Sequence, residues 1–259
     1  MILFYNSDTG ASVVASLHGL ATLTILRKYT FSAGWTHVVW SNGRVLFYNE
    51  WNGAAAIGRF DVNGAWTQTA VLPGNVLKPG WVDILSVGHH LWFHQLAQGW
   101  DLIGKLTDTG VVADSGTGFW HWRDGRVIMV AERDVIVSFS VSYRESAFIG
   151  FVRIDSDGNF RGLYPNSQTD PDWSVVLLSN GHILYYDDGV GGGKIIDPDG
   201  YKYDIDSLPS TAAAISSAWT HLVAVGQYIL FYAQYNGSAA VGSIQPGGIF
   251  SGETKLAVE

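Results

Sequence analysis

A repeat of 46 residues constrains this chain more than any other feature of its sequence. The stretch 33–61, "AGWTHVVWSNGRVLFYNEWNGAAAIGRFD", recurs at 79–107, where Trp81 and Gly104 stand 46 positions after Trp35 and Gly58. It recurs at 217–245, four repeat lengths beyond the first copy and without a gap. A fixed period of this length indicates a repeat architecture in which each copy is one structural unit.

The remaining copies are less regular. The copy at 172–200 has a second loop that is two residues shorter, and the copy at 117–166 carries extra residues between its two halves. The chain opens inside a copy, because "ILFYNSDTGASVVASL" matches 45–60 without the strand that should precede it. Six copies, with one strand and its connector missing from the first, account for the 259 residues.

Each copy is predicted to form four short strands. In the copy at 33–74 these strands are "WTHVVW", "RVLFYN", "AAAIGRFD" and "AWTQTAVL", which we call A to D, with Asn-Gly turns after A and after C. Asn-Gly pairs favour hairpin turns because they tolerate positive φ. A repeated four-stranded antiparallel unit of this length is typical of a β-propeller blade. We predict an all-β chain that forms a β-propeller of four-stranded antiparallel blades, six being favoured, with five and seven as alternatives.

The repeat also gives provisional blade limits within a single domain at 1–259. The predicted blades are 1–29, which is partial, then 30–74, 75–116, 117–166, 167–211 and 212–259.

Composition excludes several kinds of partner and site. The net charge is −8 and there is no block of Lys or Arg, so duplex nucleic acid is not an expected partner. The chain has no Cys, which excludes disulfides and thiolate metal sites. The apolar stretch 11–26 is too short to span a bilayer, and residues 1–10 lack a signal-peptide pattern. Secretion, action at a cell surface and oligomerisation are left open.

Candidate ligand-binding residues gather at one rim of the predicted propeller. Since strand direction alternates, the B–C loops and the D–A connectors share this rim, which is rich in aromatic and amide side chains. A flat ring covers the C–H face of a sugar, and amide or carboxylate groups bind its hydroxyls. The candidates are Tyr5, Asn6, Trp35, Tyr48, Asn49, Trp51, Asn52, Trp81, Trp100, Asp101, Trp219, Tyr232, Tyr235 and Asn236.

Packing is the alternative role for part of this set. A Trp at the start of strand A and a Tyr at the end of strand B can fill the wedge between two blades. Loop residues such as Trp51 and Tyr235 have less structural purpose, and loops on a rigid scaffold commonly carry function.

A column of titratable residues provides a second type of candidate site. Aligned copies place His37, Asp83, His121 and His221 at one position of strand A, with Val175 in the remaining copy. If strand A is innermost, these side chains surround the axis, and imidazoles that converge there can hold a metal. The alternative is that each His bonds the backbone of a neighbouring blade. We predict no cofactor, and keep the metal site as an alternative.

The copies "GWTHVV…GRVLFYNEWNGAAAIGRFDVNGAW" and "AWTHLVAVGQYILFYAQYNGSAAVGSI" resemble the repeats of tectonin and tachylectin-like β-propeller lectins. The resemblance implies a glycan-binding protein with several sites around the ring. We therefore predict a multivalent carbohydrate-binding protein with no enzymatic activity. The alternatives are a propeller enzyme with a His-lined axial metal, and a protein-interaction or targeting domain of a larger protein.

Overall fold

The computed structural model describes residues 1–18, 22–74, 76–95, 100–113, 129–132, 135–142, 146–154, 160–169, 173–177, 183–187, 191–196, 210–213, 215–216, 219–225, 228–245 and 249–256. These residues form β-strands joined by turns and loops. Within the same ranges, no helix is both long and apolar enough to cross a lipid bilayer.

The strands are short and follow one another along the chain. They are β1 (Ile2–Tyr5), β2 (Ala11–His18), β3 (Thr22–Thr30), β4 (His37–Ser41), β5 (Arg44–Tyr48), β6 (Ala55–Phe60), β7 (Trp66–Leu72), β8 (Asp83–Val87), β9 (His90–Gln95), β10 (Trp100–Leu106), β11 (Val111–Ala113), β12 (Met129–Glu132), β13 (Val135–Ser142), β14 (Ser146–Ile154), β15 (Phe160–Thr169), β16 (Trp173–Leu177), β17 (Ile183–Asp187), β18 (Gly193–Ile196), β19 (Ser210–Ala213), β20 (His221–Val225), β21 (Tyr228–Ala233), β22 (Ser238–Gln245) and β23 (Ile249–Lys255).

Within each sheet, strands that follow one another in sequence pair antiparallel. The first sheet has three strands, β1 to β3, and each later sheet of the described chain has four: β4–β7, β8–β11, β12–β15, β16–β19 and β20–β23. We number these sheets 1 to 6 in chain order. Tight turns permit this pairing; in sheet 2, Asn42 and Gly43 both have positive φ, as the Asn-Gly pair predicts.

The sheets stand around a common axis. The first strands of consecutive four-stranded sheets contact one another, β4 with β8, β8 with β12, β12 with β16 and β16 with β20, so each is the inner strand of its sheet. Sheets 6 and 1 meet through a cluster that includes Ile2, Leu230 and Val241. The prediction of an all-β chain with antiparallel sheets in a propeller arrangement is confirmed.

The core lies in the wedges between neighbouring sheets. Leu46, Ile57 and Phe93 belong to one cluster between sheets 2 and 3, and Leu184 and Phe231 belong to another between sheets 5 and 6. The second strand of a sheet has neighbours on both faces, which is why β5 is buried from Val45 to Tyr48. Each large apolar side chain buried in this way contributes about 1.5–3 kcal/mol.

Some boundaries differ from the predicted blade limits. The outer strands β3, β15 and β19 end one, three and two residues beyond those limits. The connectors that follow the outer strands vary most in sequence between copies. The sequence therefore gives little indication of where an outer strand ends. In the irregular fourth copy, the extra residues lengthen β13 and β14 to 8 and 9 residues, which pair from Val135 with Arg153 to Ser142 with Ser146.

An ion-pair group joins sheets 2 and 3 at the rim opposite the B–C loops. Asp108 accepts hydrogen bonds from Arg44, at 3.0 and 3.3 Å, and from Arg59. The side-chain hydrogen bonds from Arg44, followed by those from Arg59, hold the pKa of Asp108 below its ordinary value of 3.8. The carboxylate is therefore held in its ionised form.

This group predicts a specific dependence of stability on pH. Because the folded pKa of Asp108 is lowered, its stabilising contribution is present above the ordinary value and lost as pH falls through the folded one. The melting temperature of Asp108→Asn should lie below that of the native protein at neutral pH, and the gap should close below about pH 4. Melting curves between neutral and acidic pH measure this. About 1 M salt should also narrow the gap at neutral pH, since exposed charges are screened; a gap independent of pH and salt would contradict the account.

Candidate binding rim

The loop between β5 and β6 is held rigid by its own hydrogen bonds. The side-chain oxygen of Asn49 accepts from the backbone N–H groups of Trp51 and Asn52 at 2.9 and 3.1 Å, and its amide donates to the carbonyl of Gly34 at 2.7 Å. Asn52 Oδ1 accepts from the N–H of Ala54 at 2.9 Å. This turn projects the Trp51 side chain into solvent, where 79% of it is exposed.

The loops at the same position in sheets 1 and 6 follow this construction. Asn6 Oδ1 accepts from the N–H groups of Asp8 and Thr9 at 3.0 and 2.9 Å. In sheet 6, Asn236 Oδ1 accepts from the N–H of Ser238 at 2.9 Å, and Tyr235, at the place of Trp51, is 86% exposed. Two loops thus present a large ring from a fixed backbone, while Asp8 occupies the same place in sheet 1.

The predicted amide residues have a structural use within these loops. Asn6, Asn49, Asn52 and Asn236 direct their side-chain oxygens to backbone N–H groups of their own loops. Their oxygens are therefore occupied in shaping the turns. The exposed aromatic rings are the loop groups without such a role, and they are the stronger candidates for contact with a ligand.

The aromatic residues at the strand ends lie between sheets. Tyr48 Oη donates to the carbonyl of Lys78 at 2.8 Å and accepts from the N–H of Trp81 at 3.3 Å. Tyr48 is fully buried and Trp81 is 6% exposed, as is Trp219. The side chains of these three candidates fill the wedges and do not form an accessible surface. Burial also raises the pKa of the Tyr48 hydroxyl, so it remains a neutral donor.

The same contact recurs at two further junctions. Tyr186 Oη donates to the carbonyl of Ser216 and accepts from the N–H of Trp219, at 2.8 and 3.2 Å. Tyr5 Oη does the same with Ser32 and Trp35, at 2.8 and 3.1 Å. We call this contact the tyrosine lock. Each lock fixes the connector and the start of the inner strand of the following sheet.

The Thr and His of the Trp-Thr-His sequence also form hydrogen bonds at the junctions between sheets. Thr36 Oγ1 accepts from the N–H of Glu50 at 2.9 Å and lies 3.1 Å from the carbonyl of Tyr48, and Thr220 makes the equivalent contacts in sheet 6. These Thr residues are not among the predicted site residues, although Thr follows Trp in both close copies. His37 Nε2 donates at 2.9 Å to the carbonyl of Val82, the connector residue that precedes β8 of the next sheet.

The axial metal site receives no support from the residues that can be assessed. His37 uses both ring nitrogens, one toward Val82 and the other toward Thr36 Oγ1 at 2.9 Å. In the described ranges, no three His, Asp or Glu side chains are grouped so that they could hold a metal ion. Of the column, His121 lies outside the described residues.

Two further candidates, Trp100 and Asp101, begin strand β10. Their backbones pair with Gln95 and His94 of β9, so both residues belong to the sheet, where we had expected a loop. Their side chains lie outside the described part of the chain. Candidates at this rim with an observed exposed ring are therefore Trp51 and Tyr235.

Comparisons with known proteins identify the fold and no family. No protein-family model matches the chain, and no curated protein matches it. A nidogen/laminin complex is similar with a TM-score of 0.59 and 10% identity, covering 93% of this chain and 88% of that chain. A proposed 6-phosphogluconolactonase of Bacteroides uniformis has a TM-score of 0.55 and 13% identity, covering 96% of this chain and 80% of that chain. A proposed 6-phosphogluconolactonase of Bacteroides fragilis has a TM-score of 0.53 and 12% identity, covering 98% of this chain and 83% of that chain. At these identities the likeness shows a shared fold.

These neighbours correct one prediction. We had expected a binding protein with no enzymatic activity, yet two of the three structures are proposed lactonases. Because the fold of this chain is also the fold of proteins assigned to an enzymatic reaction, the expectation that it is not an enzyme is withdrawn. The resemblance to tectonin and tachylectin-like lectins is supported at the level of the propeller fold only.

Proposed function

We propose that this chain is a six-bladed propeller that binds carbohydrate through the loops carrying Trp51 and Tyr235. One observation carries the proposal: two loops at equivalent positions of sheets 2 and 6 each expose a large aromatic ring, 79% and 86% accessible. The other aromatic candidates with described side chains are buried or half-buried; they are Tyr5, Trp35, Tyr48, Trp81, Trp219 and Tyr232.

The exposed rings of Trp51 and Tyr235 are suited to contact with a ligand. A solvated aromatic side chain gains nothing for folding, and a rigid aromatic loses little conformational entropy when a ligand covers it. A pyranose presents C–H groups to such a ring and hydroxyls to neighbouring polar groups. Glu50 and Asn52 flank Trp51, and Gln234 and Asn236 flank Tyr235, so each ring has polar neighbours in sequence.

Two such loops on one rim favour multivalent binding. Single sites of this kind are weak, while two sites on a rigid disc engage a clustered glycan with a raised effective concentration. The tectonin-like repeat adds support, because it implies sugar sites of the same kind around the ring. Since the fold includes proposed lactonases, any bound sugar should also be followed by NMR for chemical conversion.

A glycan array tests this proposal. The native chain is expected to bind a subset of immobilised glycans, and Trp51→Ala combined with Tyr235→Ala should reduce that binding at least tenfold, because loss of about 1.4 kcal/mol corresponds to a factor of ten. Trp40→Ala is the matched control. Trp40 is also exposed, at 46%, but it lies next to the last residue of β4, toward the opposite rim. Native binding to no glycan, or equal loss in the Trp40 variant, would refute the proposal.

A further inference from the structure

Among the described residues, sheet 1 has no inner strand. Its order is β1-β2-β3, and β1 matches the second strand of the other sheets, so β1 is an edge strand where every four-stranded sheet of the described chain has a partner. A groove of about 780 Å³ runs beside it. Leu3 and Tyr5 of sheet 1 line one side, and His221, Val223 and Tyr232 of sheet 6 line the other.

Without an inner strand beside it, β1 has side chains that are more exposed than those of β5. Phe4 and Tyr5 are half-buried, whereas Phe47 and Tyr48, at the same positions in β5, are fully buried. An edge strand presents unpaired N–H and C=O groups that can accept another strand. The groove is therefore both partly apolar and lined by backbone able to form a ladder.

Tyr232 stands where a fourth tyrosine lock would form. In three junctions this Tyr donates to a carbonyl and accepts from the N–H of the Trp three residues later, as Tyr48 does with Lys78 and Trp81. Tyr232 faces the groove, and the described structure gives its hydroxyl no such partners. It is half-buried, although Tyr48 and Tyr186 are fully buried.

His221, like Tyr232, lacks a contact that its counterpart in sheet 2 makes. His37 Nε2 donates to the carbonyl of Val82, the residue immediately before the next inner strand β8. His221 occupies the same position in sheet 6 and lines the groove, where its Nδ1 bonds Thr220 Oγ1 at 2.9 Å. Among described residues its Nε2 has no partner. Two polar groups thus point to the place where the same two backbone contacts would be made.

We propose that this groove accepts an extended strand donated by another polypeptide, which adds to β1 as the inner strand of sheet 1. The mode is β-strand addition, in which backbone bonds give affinity and side-chain pockets give specificity. In its described part, this chain already uses β4, β8, β12, β16 and β20 within their own sheets. A second copy would have to unfold a sheet to donate one, so a second copy is not the donor that we propose.

The existing junctions define the chemistry of that strand. In the donated strand, an aromatic residue places its backbone N–H where Tyr232 Oη can accept from it. The carbonyl of the residue three positions earlier accepts a hydrogen bond from the same hydroxyl. A Thr follows, because the backbone N–H of Thr36 donates to the Tyr48 carbonyl and its Oγ1 accepts from the Glu50 N–H. In sheet 1, the groups equivalent to the Tyr48 carbonyl and the Glu50 N–H are the carbonyl of Tyr5 and the N–H of Ser7. Apolar β-formers then pair antiparallel with β1, as β4 does with β5.

A peptide of residues 32–41, "SAGWTHVVWS", is a suitable probe because it contains one complete inner strand and the lock carbonyl. Labelled peptide titrated into the full chain should show saturable one-to-one binding by fluorescence anisotropy, and a scrambled peptide should not. Tyr232→Phe should weaken binding by several-fold to about tenfold, the scale of one lost hydrogen-bond partner. Tyr48→Phe is the matched control and should leave the affinity unchanged.

Hydrogen exchange locates the peptide independently of any variant. Bound peptide should slow exchange at the backbone amides of Leu3–Tyr5. Absence of saturable binding would overturn the proposal. Binding that is insensitive to Tyr232→Phe and leaves exchange in β1 unchanged would also overturn it, because the peptide would then lie elsewhere.

Discussion

Replacing Gly53 with alanine is expected to lower the free energy of unfolding by more than about 3 kcal/mol. Gly53 has φ +72°, and a Cβ there would overlap the carbonyl oxygen of Leu77 and lie 2.7 Å from that of Gly74. Both neighbours are backbone atoms of the connector to sheet 3, so a flexible side chain cannot move aside. The change should therefore separate the Trp51 loop from the connector that it packs against. Guanidinium unfolding measures the loss.

Gly43→Ala is the matched control for this prediction. Gly43 has nearly the same φ, +71°, but nothing lies within 4 Å of its built Cβ. Its loss should reflect backbone strain alone, about 1–2 kcal/mol. Equal losses for the two variants would show that the close approach of loop and connector does not constrain the rim.

The second large effect is expected from Tyr48→Phe. The change removes the hydroxyl that donates to Lys78 and accepts from Trp81, and it leaves both backbone groups without that partner. Unsatisfied buried groups cost about 1–3 kcal/mol. Thermal and guanidinium unfolding should both report a loss of this size, and Tyr186→Phe should behave similarly at the junction of sheets 5 and 6.

Tyr232→Phe distinguishes a tyrosine lock from a general effect of losing a hydroxyl. Because Tyr232 Oη makes no lock contact in the described structure, its replacement should change the free energy of unfolding by no more than about 0.5 kcal/mol. A loss as large as that of Tyr48→Phe would contradict the assignment of the lock.

The repeat allowed the fold to be predicted because it reports strand spacing directly. Asn42-Gly43 marks the first hairpin, and the alternation around it places β4 and β5 almost at their observed ends. Outer strands such as β15 were less well placed, since they touch fewer neighbours and tolerate more sequences. The absence of an inner strand before β1 was also readable from the first copy.

The site was predicted less well because a repeat preserves packing and binding residues alike. Tyr48 and Trp81 recur because they close a junction, and sequence alone does not separate that role from ligand contact. Trp51 and Tyr235 could be distinguished only by their exposure. Asn49 illustrates the difficulty, since its amide suits a sugar hydroxyl but its oxygen holds the loop. In the histidine column, His37 donates to a backbone carbonyl that precedes the next inner strand, which is a packing contact that sequence alone does not distinguish from metal binding.

The central claim is that the exposed rings of Trp51 and Tyr235 bind sugar, and calorimetric titration tests it most directly. The best glycan from the array would be titrated into the native chain, the Trp51→Ala/Tyr235→Ala variant and the Trp40→Ala variant. We predict binding heat for the native chain and the Trp40 variant, and at least a tenfold weaker affinity for the double variant. Unchanged affinity in the double variant would contradict the claim.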